Sequence, residues 1–340
     1  MITEPQSLPA FARNATNLAS AGLGAKPVFA TDEFFAPLSR MLDDEPAVFY
    51  PGRFDDHGKW MDGWETRRRR GTGHDYAIVA LAAAGRITGF DVDTSHFTGN
   101  YPAACSIEAC RAPTGPDTGT EWTELLALTS LGPSAHHYFA CQSEQNFTHV
   151  RLRIYPDGGV ARLRIYGIGE LDRVSASDRS IDLASALVGG KIVAFSNGHY
   201  GHDRLIAPGR GSNMGDGWET RRRREPGNDW IIVKLAARTI IDRIVVDTAH
   251  FKGNFPDACS VQAADLSTAG KDLEALVTAS SMFWPEALSA KKLSADALHE
   301  FNGIMIGKIG AVTHVRLNIY PDGGVSRLKV FGKINEETNG

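Results

Sequence analysis

Two stretches of this chain carry side chains suited to proton transfer and to gripping an anion. The first is Asp62-Gly63-Trp64-Glu65-Thr66-Arg67-Arg68-Arg69-Arg70. In an extended segment alternate residues share a face, which sets Glu65 beside Arg67 and Arg69, with Trp64, Thr66, Arg68 and Arg70 opposite. A guanidinium holds a carboxylate through two parallel hydrogen bonds, and a neighbouring carboxyl group can give or take a proton. The second stretch runs from Asp93 through Thr94, His96, Phe97, Gly99 and Asn100 to Pro102 and reads as a strand end passing into a loop. Such places let polar groups reach a ligand without being buried unpaired. Asp93 there could orient His96 as an acid/base pair. Each stretch also has a plainer reading. The first could be a solvated, arginine-rich edge strand, and the second an aspartate capping its own turn beside a bystander histidine.

Both stretches are written twice. Asp62–Arg70 recurs without change as Asp216–Arg224, an offset of 154, and the same offset carries Asp93–Pro102 onto Asp247–Pro256 and Cys105 onto Cys259. Later blocks, Thr148-His149-Val150-Arg151-Leu152 and Ile154-Tyr155-Pro156-Asp157-Gly158-Gly159, return at an offset of 165, so the second copy holds 11 extra residues in between. A period this long means duplicated domains, because solenoid units run to about 20–50 residues. Copy one is expected over 25–167, a linker over 168–188 that ends in a short packed segment, and copy two over 189–333, with roughly the first 20 residues as a loose tail. Outward charges have little physical reason to stay identical between copies while core positions such as Ala77 and Ile231 differ. That favours function for Glu65, Arg67 and Arg68 with Glu219, Arg221 and Arg222, and for Asp93, His96, Asp247 and His250.

These residues have to be carried by short elements of period two. Val150, Leu152 and Ile154 alternate with Arg151, Arg153 and Tyr155, then Pro156-Asp157-Gly158-Gly159 supplies turn chemistry, and Leu163 and Ile165 alternate in the strand that follows. Ile231, Val233 and Leu235 match Ala77, Val79 and Leu81 upstream. Helical spacing is expected only near Trp122–Leu131 and Pro285–Phe301. The class is therefore all-β, with one antiparallel sandwich in each copy, although the pattern leaves strand order open.

Competing chemistries are weaker. Asp93, His96 and His149, with Asp247, His250 and His314, could supply two histidines and a carboxylate to a divalent metal, but no spacing is diagnostic, and no cofactor is expected. Cys105 and Cys259 read as small buried hydrophobes, and none of the four cysteines forms a C-x-x-C pair. Of His136 and His137, only the second has a histidine counterpart, His299. With 36 Lys and Arg against 40 Asp and Glu, the net charge is −4, and four adjacent arginines on a strand point to both faces, so nucleic acid is not an expected partner. Neither an apolar run of membrane-spanning length nor a secretion-type leader is seen, and the expected location is cytoplasmic.

Taken together, Asp-Gly-Trp-Glu-Thr-Arg-Arg, Asp-Thr-x-His-Phe-x-Gly-Asn-x-Pro and His-Val-Arg-Leu-x-Ile-Tyr-Pro-Asp-Gly-Gly, each present twice, resemble the allantoicase family from about Lys26 to Gly332. The resemblance implies two tandem jelly-roll sandwiches similar to galactose-binding-like or discoidin-type domains. It also implies a homo-oligomer that converts allantoate and water to (S)-ureidoglycolate and urea. On that reading Arg67 or Arg68 (Arg221 or Arg222) grips the substrate carboxylate, and Glu65 or Glu219 is acid or base. The Asp93–His96 or Asp247–His250 pair moves the second proton, and Asn100 and Asn254 bond a ureido oxygen. The alternative is a non-enzymatic, galactose-binding-like module.

Overall fold

A computed structural model of the chain describes residues 8–13, 15–171, 179–269 and 273–335, and the chain divides into two compact units, Met1–Glu170 and Leu171–Gly340. The first is organised around one 19-residue strand, Asp75–Asp93. Its first half pairs antiparallel with Asn146–Tyr155 and Lys26–Ala30, and its second half with Arg162–Gly169 and His136–Ala140. Passing from one set of partners to the other, this strand belongs to both layers of a sandwich. The alternation read from sequence supplies the filling. Ala77, Val79, Ile107 and Leu152 join Phe90, Val92, Leu163 and Ile165 in one buried cluster. The second unit repeats the plan around Asp229–Asp247, paired with Ala311–Tyr320, Lys191–Phe195, Arg327–Ile334 and Leu298–Asn302. The expected all-β, two-sandwich architecture is what forms.

Three expectations about the elements need correction. The two segments given helical spacing are strands: Thr123–Ser130 pairs with Ala104–Cys110, and Glu286–Lys292 with Ala258–Ala264. Both pairings slip register twice, at Cys105/Ile107/Glu108 and at Cys259/Val261/Gln262. Each such bulge resets the alternation of inward and outward side chains and so imitates a longer period. A helix does form at Leu273–Ser280, inside the second copy's extra segment. Finally, the sandwiches begin earlier than 25 and 189. Thr16–Asn17 pairs with Arg162–Gly169 and Ile181–Asp182 with Arg327–Ile334, and Leu18 and Leu183 are fully buried just after them. Residues 172–178 of the expected linker lie outside the described residues.

The nine-residue block is not a long strand with two charged faces. Only Trp64–Glu65 and Trp218–Glu219 pair as strands, with Gly159–Val160 and Gly324–Val325. Most of its identity between copies is explained by packing. Asp62 neutralises the buried Arg162 guanidinium at 2.7 Å, as Asp216 does Arg327 at 2.9 Å. A Cβ on Gly63 would meet the Val160 carbonyl at 2.4 Å. Trp64 and Trp218 are fully buried and donate from Nε1 to the carbonyls of Asp32 and Asn197. Thr66 exchanges hydrogen bonds with Gly158, its N–H donating to the Gly158 carbonyl and its hydroxyl accepting the Gly158 N–H, each at 3.1 Å. Arg69 pairs with Asp75. What packing leaves unexplained in the block is Glu65, Arg67, Arg68 and Arg70.

Candidate functional site

Two turns of the chain meet at the end of each sandwich to set one polar pair. The strand pairing of Glu65 with Gly159 fixes its backbone, and the bend after Asp93 brings Asn100 across, where its Nδ2 donates to Glu65 Oε1 at 2.6 Å. The second repeat makes the same bond, Asn254 Nδ2 to Glu219 Oε1, at 2.7 Å. The Pro-Asp-Gly-Gly turn locks this loop, because the Gly159 N–H donates to the Asn100 carbonyl at 2.7 Å and the Gly324 N–H to that of Asn254 at 2.8 Å. Gly158 sits at φ +136, where a Cβ would lie 2.8 Å from the Asn100 carbonyl, so only glycine permits this approach. The turn is thus more than a tight reversal. It holds the residue that faces the glutamate.

Glu65 is 8% exposed. Burial pushes its pKa up, the Asn100 hydrogen bond opposes that rise, and the nearby Asp55 carboxylate adds to it. A carboxyl group raised in this way is suited to hold a proton until a leaving group needs it. In the second repeat Glu219 and Asn254 line a cleft of about 540 Å³ together with Arg221, Arg222, Thr220 and His199. That volume falls within the roughly 300–1,000 Å³ typical of small-molecule sites. Among the described residues, no side chain hydrogen-bonds the exposed guanidinium of Arg222 or of its counterpart Arg68. Arg67, by contrast, is tied to Asp32 through Nε at 2.7 Å and Nη2 at 2.6 Å. Arg221 reaches outward to Glu225 at 2.8 Å.

Comparison with known proteins decides the family. The allantoicase repeat family model matches residues 16–170 and again 181–335. The chain belongs to the allantoicase family. It is 68% identical over 327 residues to a probable allantoicase of Rhizobium meliloti (strain 1021), covering 96% of each chain. It is 55% identical over 337 residues to probable allantoicase 2 of Burkholderia pseudomallei (strain K96243), covering 98% of each. The crystal structure of allantoicase from Saccharomyces cerevisiae superposes with a TM-score of 0.78 at 34% identity, over 94% of this chain and 93% of that one.

Within this allantoicase-family chain, the expected Asp–His pairs do not form. Asp93 Oδ1 accepts the Ser95 N–H at 2.7 Å and Asp247 Oδ1 the Ala249 N–H at 2.8 Å, the turn-capping alternative. His96 and His250 sit at φ 69 and 71, which turns their rings away to a different task. His96 Nε2 donates to the Ala47 carbonyl at 3.1 Å and His250 Nε2 to that of Gly211 at 2.8 Å, pinning the segment before the nine-residue block. The remaining oxygen of Asp93 lies 3.8 Å from His136, and that of Asp247 lies 3.2 Å from Arg210. His136 itself bonds Asp91 at 2.8 Å, and the second copy has Val245 and Leu298 at these positions, so this cluster is particular to repeat one.

The metal alternative gathers no ligand set: among the described residues no three His, Cys, Asp or Glu side chains converge. His149 and His314 bond the neighbouring threonine hydroxyls inside the sheet, and burial pushes His314 down to about 4. Cys105 and Cys259 are fully buried, with thiols pushed up to about 12. His137 and His299 brace hairpins, each accepting a loop N–H at 2.8 Å. Sequence reasoning missed Asp32, Asn197 and His199. They precede the identical blocks in a stretch where the two copies differ in length, so no fixed offset pointed to them.

Proposed function

We propose that this chain hydrolyses allantoate to (S)-ureidoglycolate and urea. The observation that carries the reading is the carboxyl–amide pair beside free guanidinium groups in a cleft, in a chain of this family. Allantoate is a small carboxylate whose central carbon bears two ureido groups. Arg222, or Arg68 in the first repeat, grips the carboxylate, with Arg221 at the cleft's edge. The Asn254 or Asn100 amide bonds a ureido oxygen and aligns the glutamate. As the C–N bond breaks, its electron pair goes to the leaving nitrogen, and Glu219 or Glu65 protonates it to release urea. Water adds to the same carbon and loses a proton, restoring the glutamate's proton and completing the alcohol of ureidoglycolate.

The test is urea release from allantoate by the purified protein, with Glu65→Gln, Glu219→Gln and the double variant. Loss of urea release in the double variant supports the roles given, and unchanged release in all three removes them. A homo-oligomer, as the family resemblance implies, is the proposed working form, and the cytoplasm is its proposed location. Light scattering on the purified protein is expected to read a multiple of the 36.8 kDa chain. Among the described residues no helix is long and apolar enough to cross a membrane.

A further inference from the structure

The two polar pairs match, yet their surroundings do not. Asp62 follows Leu42 by 20 positions in the first repeat, whereas Asp216 follows Ile206 by 10 in the second. The surplus contains a small hairpin in which Phe54–Asp55 pairs with Gly58–Lys59. This hairpin leans on the residues next to Glu65. Gly58 lies against the Phe35 ring, the His57 ring meets Phe34 at 4.6 Å, and Asp55 is close enough for its charge to act on Glu65.

Phe35 is a marked position. Its N–H donates to the Glu65 carbonyl at 3.3 Å, and the residue that does this for Glu219, at 2.9 Å, is His199. A phenyl ring under a hairpin in one repeat is therefore an exposed imidazole lining an open cleft in the other. Among the described residues no side chain hydrogen-bonds that imidazole. A second exchange accompanies the first. Asp32 and Asn197 both accept the backbone N–H of the first arginine after the threonine, each at 2.8 Å. Asp32 also neutralises the Arg67 guanidinium, whereas Asn197 carries no charge and Arg221 turns instead to the exposed Glu225. The second cleft is thus the more open and is supplied with one additional proton-transfer group.

Building on the allantoate reading, we propose that hydrolysis takes place in the second repeat, with His199 as a further catalytic residue. Its imidazole takes the proton from the water that adds to the central carbon, while Glu219 gives a proton to the departing urea nitrogen. The proton held by His199 then returns to Glu219 through solvent. The first repeat has in Glu65 a carboxyl group to give a proton, but Phe35 stands where an imidazole would take one from water, so it keeps the fold of the site without turning over.

Steady-state urea release by wild-type protein, His199→Phe, His199→Gly and Phe35→His tests this. His199 is exposed, so His199→Phe is expected to leave folding intact. Its kcat is expected to fall about 100-fold or more, the range of a lost general base, with KM little changed. Added imidazole should restore turnover to His199→Gly, and Phe35→His should match the wild type. Wild-type kcat in His199→Phe, or no rescue of His199→Gly, overturns the role of His199. A loss in Phe35→His equal to that in His199→Phe overturns the assignment to the second repeat. Wild-type protein that releases no urea instead defeats the allantoate reading on which this rests.

Discussion

Replacing Asp216 with Asn tests whether the nine-residue block is mainly a structural clamp. Arg327 is 1% exposed, and its Nη2 meets Asp216 Oδ2 at 2.9 Å. The substitution keeps the shape of the side chain and removes the only carboxylate paired with that guanidinium among the described residues. Breaking a buried pair from one side costs about 3–5 kcal/mol, because the remaining charge stays out of water. Arg327 keeps its bonds to the carbonyls of Asp216 and Ser326, which sets the expectation at the lower end, about 3 kcal/mol. For a unit of this size that is a fall of roughly 6–12 °C in the melting temperature. Calorimetry on Asp216→Asn and Asp62→Asn reads it, with the exposed Arg222→Gln as a control expected within about 0.5 kcal/mol of wild type. A clamp role is refuted if Asp216→Asn melts with the wild type, or if Arg222→Gln is equally damaging.

Other substitutions probe neighbouring parts of the structure. Burial raises the Asp182 pKa to about 6 from 3.8, and its Oδ1 accepts the N–H groups of Ala184 and Val330. Asn17 accepts the matching N–H groups of Ala19 and Ile165 in the first repeat, so the geometry does not need the charge. A carboxyl raised on folding contributes its stability below pH 4 and loses it as pH rises through 6. Asp182→Asn should therefore gain on wild type between pH 4 and 6, by about 1–3 kcal/mol above that, and chemical denaturation at pH 4 and 7 measures it. Gly323→Ala places a Cβ 2.6 Å from the Asn254 carbonyl at φ +133; a stability loss of about 1–3 kcal/mol and slower urea release are expected from melting and rate assays. Asn254→Leu should keep the melting temperature near wild type while lowering kcat/KM roughly 10–100-fold, the effect of a lost substrate-aligning hydrogen bond.

Legibility in the sequence followed the physics of each feature. The doubling and the sandwich were readable because period-two alternation at Val150, Leu152 and Ile154 survives wherever a strand pairs in constant register. Thr123–Ser130 and Glu286–Lys292 were misread because their bulges destroy that signal, which depends on pairing with a distant strand. The identity of the two Asp-Gly-Trp-Glu-Thr-Arg blocks did mark the site, but for a mixed reason. Asp62, Trp64 and Thr66 repeat because they meet the same partners in each core, and Glu65 repeats beside Asn100. The Asp93–His96 pairing failed because a backbone at φ 69 aims the imidazole at the Ala47 carbonyl, a direction that spacing along the chain does not encode. His199 was invisible because the asymmetry that singles it out exists only once Phe35 and His199 are superposed in space.

The most direct measurement is the stoichiometry of urea and ureidoglycolate released from allantoate by purified wild-type protein and by the Glu65→Gln/Glu219→Gln double variant. One urea for each ureidoglycolate formed by the wild type, and none above background from a folded double variant, is expected if the glutamates transfer the proton. Equal urea release by both proteins would contradict that chemistry, and no release by either would contradict allantoate as the substrate.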